Sequence, residues 1–310
     1  MEARVEDFLT GLLDGCTQLM ERWQQRHHQG QDWQLARLTC WEGLARALPV
    51  DKPAAELAGP LDLDPAVYRL MWSESRALHL LQGLGPVDPI AMPALIERLY
   101  TVLASRFDPP AAFTDDAARA IVVAWAARHA RPAGLPQSAM AVVDFVQSAP
   151  LTARDVQVAA LLASALPAWA GLPMVHVLPP DGRAEEGFAH ALAAACEGED
   201  GAWIAYYLGR ARRMLKRMPV LLEGAEEIRA RWVALFRRAP FDSATANRLA
   251  TTLVSLPVIT PSFIADTGLT AEILSDALVL LFAADEAVEV ELSGNISATI
   301  LPAPLRLLTA

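Results

Sequence analysis

Apolar side chains recur at three- and four-residue steps through most of this chain. In the opening segment Val5, Phe8, Leu9, Leu12, Leu13, Cys16, Leu19, Met20 and Trp23 follow the period of an amphipathic helix. That helix is expected to end at the polar "QQRHHQGQD", and Trp33, Leu35, Leu38, Trp41 and Leu44 mark a second one. The Pro- and Asp-rich "PVDKPAAELAGPLDLDP" then reads as a linker. Asp64 and Pro65 form an N-cap and first-turn pair for a helix to about Leu81. Further helices are predicted at 93–105, 115–130 and 136–147, each bounded by Pro, Gly or Asp. Thr152 and Asp155 have the spacing of a capping box, with Asp in place of Glu, ahead of an apolar helix over 155–166. Three more helices are expected at 184–196, 200–218 and 221–238, with Pro219 ending the middle one. No alternating strand pattern is visible between residues 1 and 240.

The pattern changes at 243. "SATANRLATTLVSL" and "TPSFIADTG" read as a longer and a shorter helix, and "TAEILSDALVLLFAAD" as a third, capped by Thr270. "AVEVEL" and "ISATILP" alternate around "SGN", the signature of a β-hairpin. Three helices and a hairpin give the winged-helix order. The fold class expected is therefore all-α, a multi-helix bundle with a C-terminal winged helix-turn-helix. Its parts are an N-terminal helical pair over 1–50, a helical core over 62–240 and the winged helix over 243–310.

Composition agrees with this picture. The chain has 310 residues, 53% of them hydrophobic and only 20% charged, which excludes disorder and fibrous repeats. Alanine and leucine dominate, favouring helix over sheet. The start, "MEARVEDFLTGLL", carries acids where an export signal needs bases, and Cys16, Cys40 and Cys196 are too few and too scattered for a disulfide framework. A cytoplasmic location is expected. The longest apolar run, in 156–180, is interrupted by Pro167, Gly171, Pro173 and His176 and falls short of the roughly 20 residues a membrane span needs. No membrane partner is expected.

From about 149 to 238 the chain resembles the Fic-domain family. "APLTARDVQVAALLASALPAWAGLP" lines up without gaps against the Fic signature, in which His-Pro-Phe leads through an acid and a Gly-Asn-Gly-Arg loop into a buried apolar helix. Pro150 keeps its place, Leu151 stands for Phe, and Leu161 and Leu162 continue the core helix. "GEDGAWIAYYLGRA" is similar to the family's aromatic helix, and a winged helix after the core is an arrangement found in that family. The resemblance implies loss of the chemistry. The general-base His falls on Ala149, the metal-binding acid on Ala153, the loop glycines on Arg154 and Val156, and the loop Arg on Gln157. Alanine offers no titratable group, and side chains replace the glycines that let backbone N–H groups approach a pyrophosphate.

No nucleophile elbow, phosphate-cradling loop or dinucleotide fingerprint stands elsewhere in the sequence. Glu186 and His190 lie one helical turn apart with Cys196 beyond, short of a zinc ligand set. His27 and His28 read as solvated and His176 as a core residue. No catalytic residue, metal or cofactor is assigned, and the chain is read as a non-enzyme.

Charge separates the remaining candidates. The total is −10, yet residues 201–250 hold ten Lys/Arg against four acids, while 251–310 hold Arg306 alone against seven acids. Arg210, Arg212, Arg213, Lys216, Arg217, Arg237 and Arg238 could form a phosphate-tracking face, though residues of this kind more often form a solvated face or pair with acids such as Glu223, Glu226 and Glu227. The winged helix's second helix carries Glu272 and Asp276 where a DNA reader needs cations, which disfavours entry into a groove. It is also too apolar for one buried face, so Glu272, Asp276, Leu280 and Phe282 are candidate contacts for a protein partner or a second copy. The function expected is a non-catalytic interaction or regulatory subunit. The alternative is a nucleic-acid-associated transcriptional regulator working through the basic 210–238 face.

Overall fold

The computed structural model describes residues 2–26, 31–50, 52, 54–61, 65–104, 108–129, 134–177, 186–239, 241–260, 269–292 and 296–309. The chain is mainly helical. Its helices are α1 Glu2–Arg26, α2 Gln31–Thr39, α3 Glu42–Ala47, α4 Ala54–Leu57, α5 Pro65–Gln82, α6 Met92–Leu103, α7 Asp116–His129, α8 Leu135–Ser148, α9 Asp155–Trp169, α10 Glu186–Cys196, α11 Asp200–Phe236, α12 Ser243–Ser255, α13 Ala271–Ala283 and α14 Pro302–Thr309. Four short strands are found among the described residues: β1 Gly59–Leu61, β2 Val258–Ile259, β3 Val288–Leu292 and β4 Ile296–Ile300. No helix among the described residues is long and apolar enough to cross a membrane.

The described chain divides into two compact units that are not contiguous in sequence. One comprises residues 1–36 and 77–219, the other 37–76 and 220–310. The segments expected from the sequence are 1–50, 62–240 and 243–310. α3 packs on α14, β1 pairs with β3 and Tyr68 of α5 bonds Thr260, which places these parts in the second unit.

In the first unit α9 is the central element. Every residue from Val158 to Pro167 is buried, and α6 and α8 pack against it. A helix apolar all round is a buried one, and here its neighbours are other helices of the unit. α8 in turn lies between two indoles: Trp125 donates to the Ala141 carbonyl at 2.9 Å and Trp203 to that of Ala139 at 2.7 Å. Alanines at these positions let the rings approach the α8 backbone, and the extra bonds satisfy two buried N–H groups. Phe188, Tyr206 and Tyr207 surround Trp203. On α1 the expected stripe is buried at Leu12, Cys16, Met20 and Trp23, but Phe8 stands 58% exposed. No disulfide joins the three cysteines.

Several local expectations change. The capping box is not made: Thr152 donates to the Ala111 carbonyl at 2.7 Å, and Arg154 occupies the N-cap of α9 with a left-handed φ of 69°. The Asp155 carboxylate instead accepts from the Leu151 N–H at 3.1 Å. Pro219 does not end a helix either, since α11 continues through it to Phe236. The second expected helix is split into α2 and α3. The expected N-cap Asp64, the short helix over "TPSFIADTG" beyond Thr260, and the "SGN" turn lie outside the described residues.

The second unit holds the sheet, in the order β1-β3-β4-β2. β3 and β4 form the expected antiparallel hairpin, with Val290 opposite Ala298. β2 pairs antiparallel with β4, and β1 adds in parallel to β3 with Gly59 opposite Val290. β1 corrects the expectation of a strand-free chain up to 240. α14, not foreseen, packs on α3, and Arg306 donates to the carbonyls of Val50 and Lys52. The close approach of α11 to α14 depends on Gly224, where a Cβ would clash with Leu307 Cδ2.

Candidate functional site

Among α12, α13 and α14 the large exposed apolar side chains, Val279 and Phe282, both belong to α13. Thr270 caps it as its sequence predicts, its hydroxyl accepting from the Ile273 N–H at 3.3 Å. Leu274, Ala277 and Leu281 are buried, one stripe at three- and four-residue steps. That stripe does not use up the apolar residues. Val279 is 63% and Phe282 39% exposed, with Ile273, Leu278 and Leu280 half-buried.

Beside this surplus runs a groove of about 340 Å³. Ala271, Leu274, Ser275, Leu278, Val279 and Phe282 form its helical wall, and Ile259, Thr260 and Ser297–Thr299 form the wall of strands. Of the four residues predicted for an interface, Phe282 lines the groove, Glu272 and Asp276 are exposed on the same helix, and Leu280 is half-buried outside the lining. Leu278 and Val279, two of the residues that make the helix too apolar for one buried face, also line the groove. The row Ala271, Ser275, Leu278, Phe282 is legible as helical spacing, but choosing it over Leu280 needs the position of β4.

The surroundings of the groove are acidic. Glu289 and Glu291 on β3 stand opposite Thr299 and Ser297 on β4, and Ser297 donates to Glu289 at 3.0 Å. Arg231 on α11 pairs with Glu286 at 2.6 Å, a cation that lies 55 residues upstream and is invisible to local charge counting. Arg306, the one base after residue 250, points its guanidinium at backbone carbonyls.

The basic residues of α11 have divided environments. Arg213 and Lys216 are exposed in the first unit, whereas Arg210, Arg212 and Arg217 are half-buried. Arg212 lies against α1, its Nε 3.3 Å from where a Cβ on Gly15 would sit. In the second unit Arg237 and Arg238 are exposed. Arg229 there binds Glu226 and, at 3.1 Å, Asn247.

The loop from 149 to 154 is held by structure of its own. Ala149 and Arg154 are left-handed, with φ of 41° and 69°, and Arg154 forms an ion pair with Asp108 at 2.9 Å. Leu151 bridges Phe113, and Tyr100 lies 3.0 Å from Thr152 while donating to the Pro109 carbonyl at 2.8 Å. Burial pushes the Asp155 carboxyl up, and its bond from Leu151 opposes that. Among the six histidines His176 is buried, His190 exposed, and His27 and His28 lie outside the described residues. The side chain of Glu186, the suggested neighbour of His190, is outside them too.

No known family model and no curated protein matches this chain.

Proposed function

We propose that the protein is a non-catalytic interaction or regulatory subunit that docks a protein partner on α13. The single observation that carries this reading is the surplus apolar row of α13, exposed along a 340 Å³ groove and bordered by carboxylates. Large side chains held out of a core that is otherwise well buried mark contact surfaces.

The order α12, β2, α13, β3, β4 supports assigning this module to the winged-helix class, with β2 as the third strand beside the hairpin. Its acidic α13 argues against the DNA-reading use of that class. The Fic-like assignment of 149–238 is supported by the burial of α9 from Val158 to Pro167 and by the left-handed backbone at Arg154, where that family's loop has glycine. Under that assignment Ala149, Ala153 and Gln157 leave the loop without its acid–base and anion-binding groups, which fits a non-enzymatic role.

The test is affinity purification of the tagged chain at low salt beside its Phe282→Asp variant. A co-purifying protein is expected from the parent and lost from the variant, since removing a central apolar anchor costs about 2 kcal/mol or more of binding. Retention of the same partner by both forms would refute docking at α13. Phe282 is the better choice than Leu280, whose half-buried side chain also serves the fold.

A further inference from the structure

The helical wall of the groove is straight. Ala271, Ser275, Leu278 and Phe282 follow one another at steps of four, three and four, so their row extends for about 16 Å, or three helical turns. Glu272 and Asp276 flank that row on α13, and Glu289 and Glu291 stand beside the other wall through their pairing with Thr299 and Ser297. No Lys or Arg occurs between residues 269 and 305. Arg231, supplied by α11, is committed to Glu286.

This arrangement selects among occupants. A second α13 would bring its own carboxylates against these, and a polyanion would meet the same repulsion. A neutral apolar helix would cover the groove but gain nothing from the exposed carboxylates on either side of it. We infer that the occupant is a cationic amphipathic helix of a partner protein, with apolar residues one and two turns apart entering the groove and Lys or Arg on the flanking positions. The inference rests on the docking function proposed above and adds to it the sign and form of the partner.

The experiment uses the full chain and fluorescent amphipathic peptides of about 14 residues that share one Leu pattern, their polar positions filled by Lys, by Gln or by Glu. Binding is read by fluorescence anisotropy. The Leu/Lys peptide is expected to bind at least about tenfold tighter than Leu/Gln, and to weaken as salt rises from about 50 to about 300 mM. Glu272→Lys with Asp276→Lys should abolish that preference. Glu6→Lys with Asp7→Lys on the exposed side of α1 makes the same change in net charge and should preserve it, which separates a local effect from the pull of an acidic protein. If Leu/Gln binds as tightly as Leu/Lys and both are lost on Phe282→Asp, the groove docks helices but the cationic partner is wrong. If Phe282→Asp changes the binding of no peptide, or none binds, the inference and the docking reading fall together.

Discussion

At position 176 a histidine is buried in an apolar stretch, between Val175 and Val177. Burial, with a smaller contribution from Arg210, lowers its pKa from 6.5 to about 3. The folded protein therefore keeps it neutral across a range in which the unfolded chain takes up a proton. Above pH 6.5 neither state binds the proton and the group has no effect on pH dependence. Below pH 6.5 the unfolded state gains the proton, so stability falls, by up to about 1.4 kcal/mol per pH unit, until the folded form titrates near pH 3. Denaturant unfolding at pH 7 and pH 5 should show this loss in the parent chain, while His176→Gln should lose about 2 kcal/mol less over the same interval. Equal losses in both would mean that the imidazole is solvated. Arg154 and Ala149 make a related point about single residues: both adopt backbone that glycine adopts more readily, and in each case the neighbouring fold imposes it, through Asp108 on Arg154 and through the end of α8 on Ala149.

Among the elements, α11 departs most from local rules. Pro219 lacks the N–H that would bond the Leu215 carbonyl and crowds that carbonyl, yet the helix continues for 17 residues beyond it, to Phe236. Buried Leu221, Leu222, Ile228, Trp232 and Phe236 supply the reason, since tertiary packing of that face outweighs one lost bond. Pro219→Ala restores the donor at an exposed position and should raise stability by about 1–3 kcal/mol in urea unfolding. A lower stability would mean that the proline shapes a bend the fold requires. The same contrast explains what the sequence showed and what it hid. Helices α5 to α10 and α12 to α13 were legible within a few residues because periodicity, Pro and Gly boundaries and the Thr270 cap are local signals. β1 was hidden in a Pro-rich linker, for a three-residue strand has no period to read and its partner Val290 lies more than two hundred residues away. α14 was hidden by its two prolines, both tolerated near a helix start. At the candidate site the helix, its cap and its acidity were readable, whereas the wall supplied by Ser297–Thr299 exists only once β4 is in place.

Across the whole molecule charge is sorted rather than spread, and the sorting bears on the nucleic-acid alternative. Seven bases of α11 and the segment just after it were candidates for a phosphate-tracking face. Four of them, Arg213, Lys216, Arg237 and Arg238, are exposed, and they are divided two and two between the compact units. Arg212 is set against α1, and Arg210 and Arg217 are half-buried. With a net charge of −10, any approach to a duplex must overcome long-range repulsion before such contacts form. Two phosphate contacts from one unit would give a salt slope of only about −2, too shallow to sustain measurable affinity at physiological ionic strength. A labelled duplex should therefore remain unshifted by the full chain at about 150 mM salt, and any shift near 20 mM should disappear within a small increase in ionic strength. A complex that persists at 150 mM, with a log–log slope steeper than about −4 that Arg213→Glu and Lys216→Glu reduce by about 2, would put the basic face ahead of the acidic groove as the working surface.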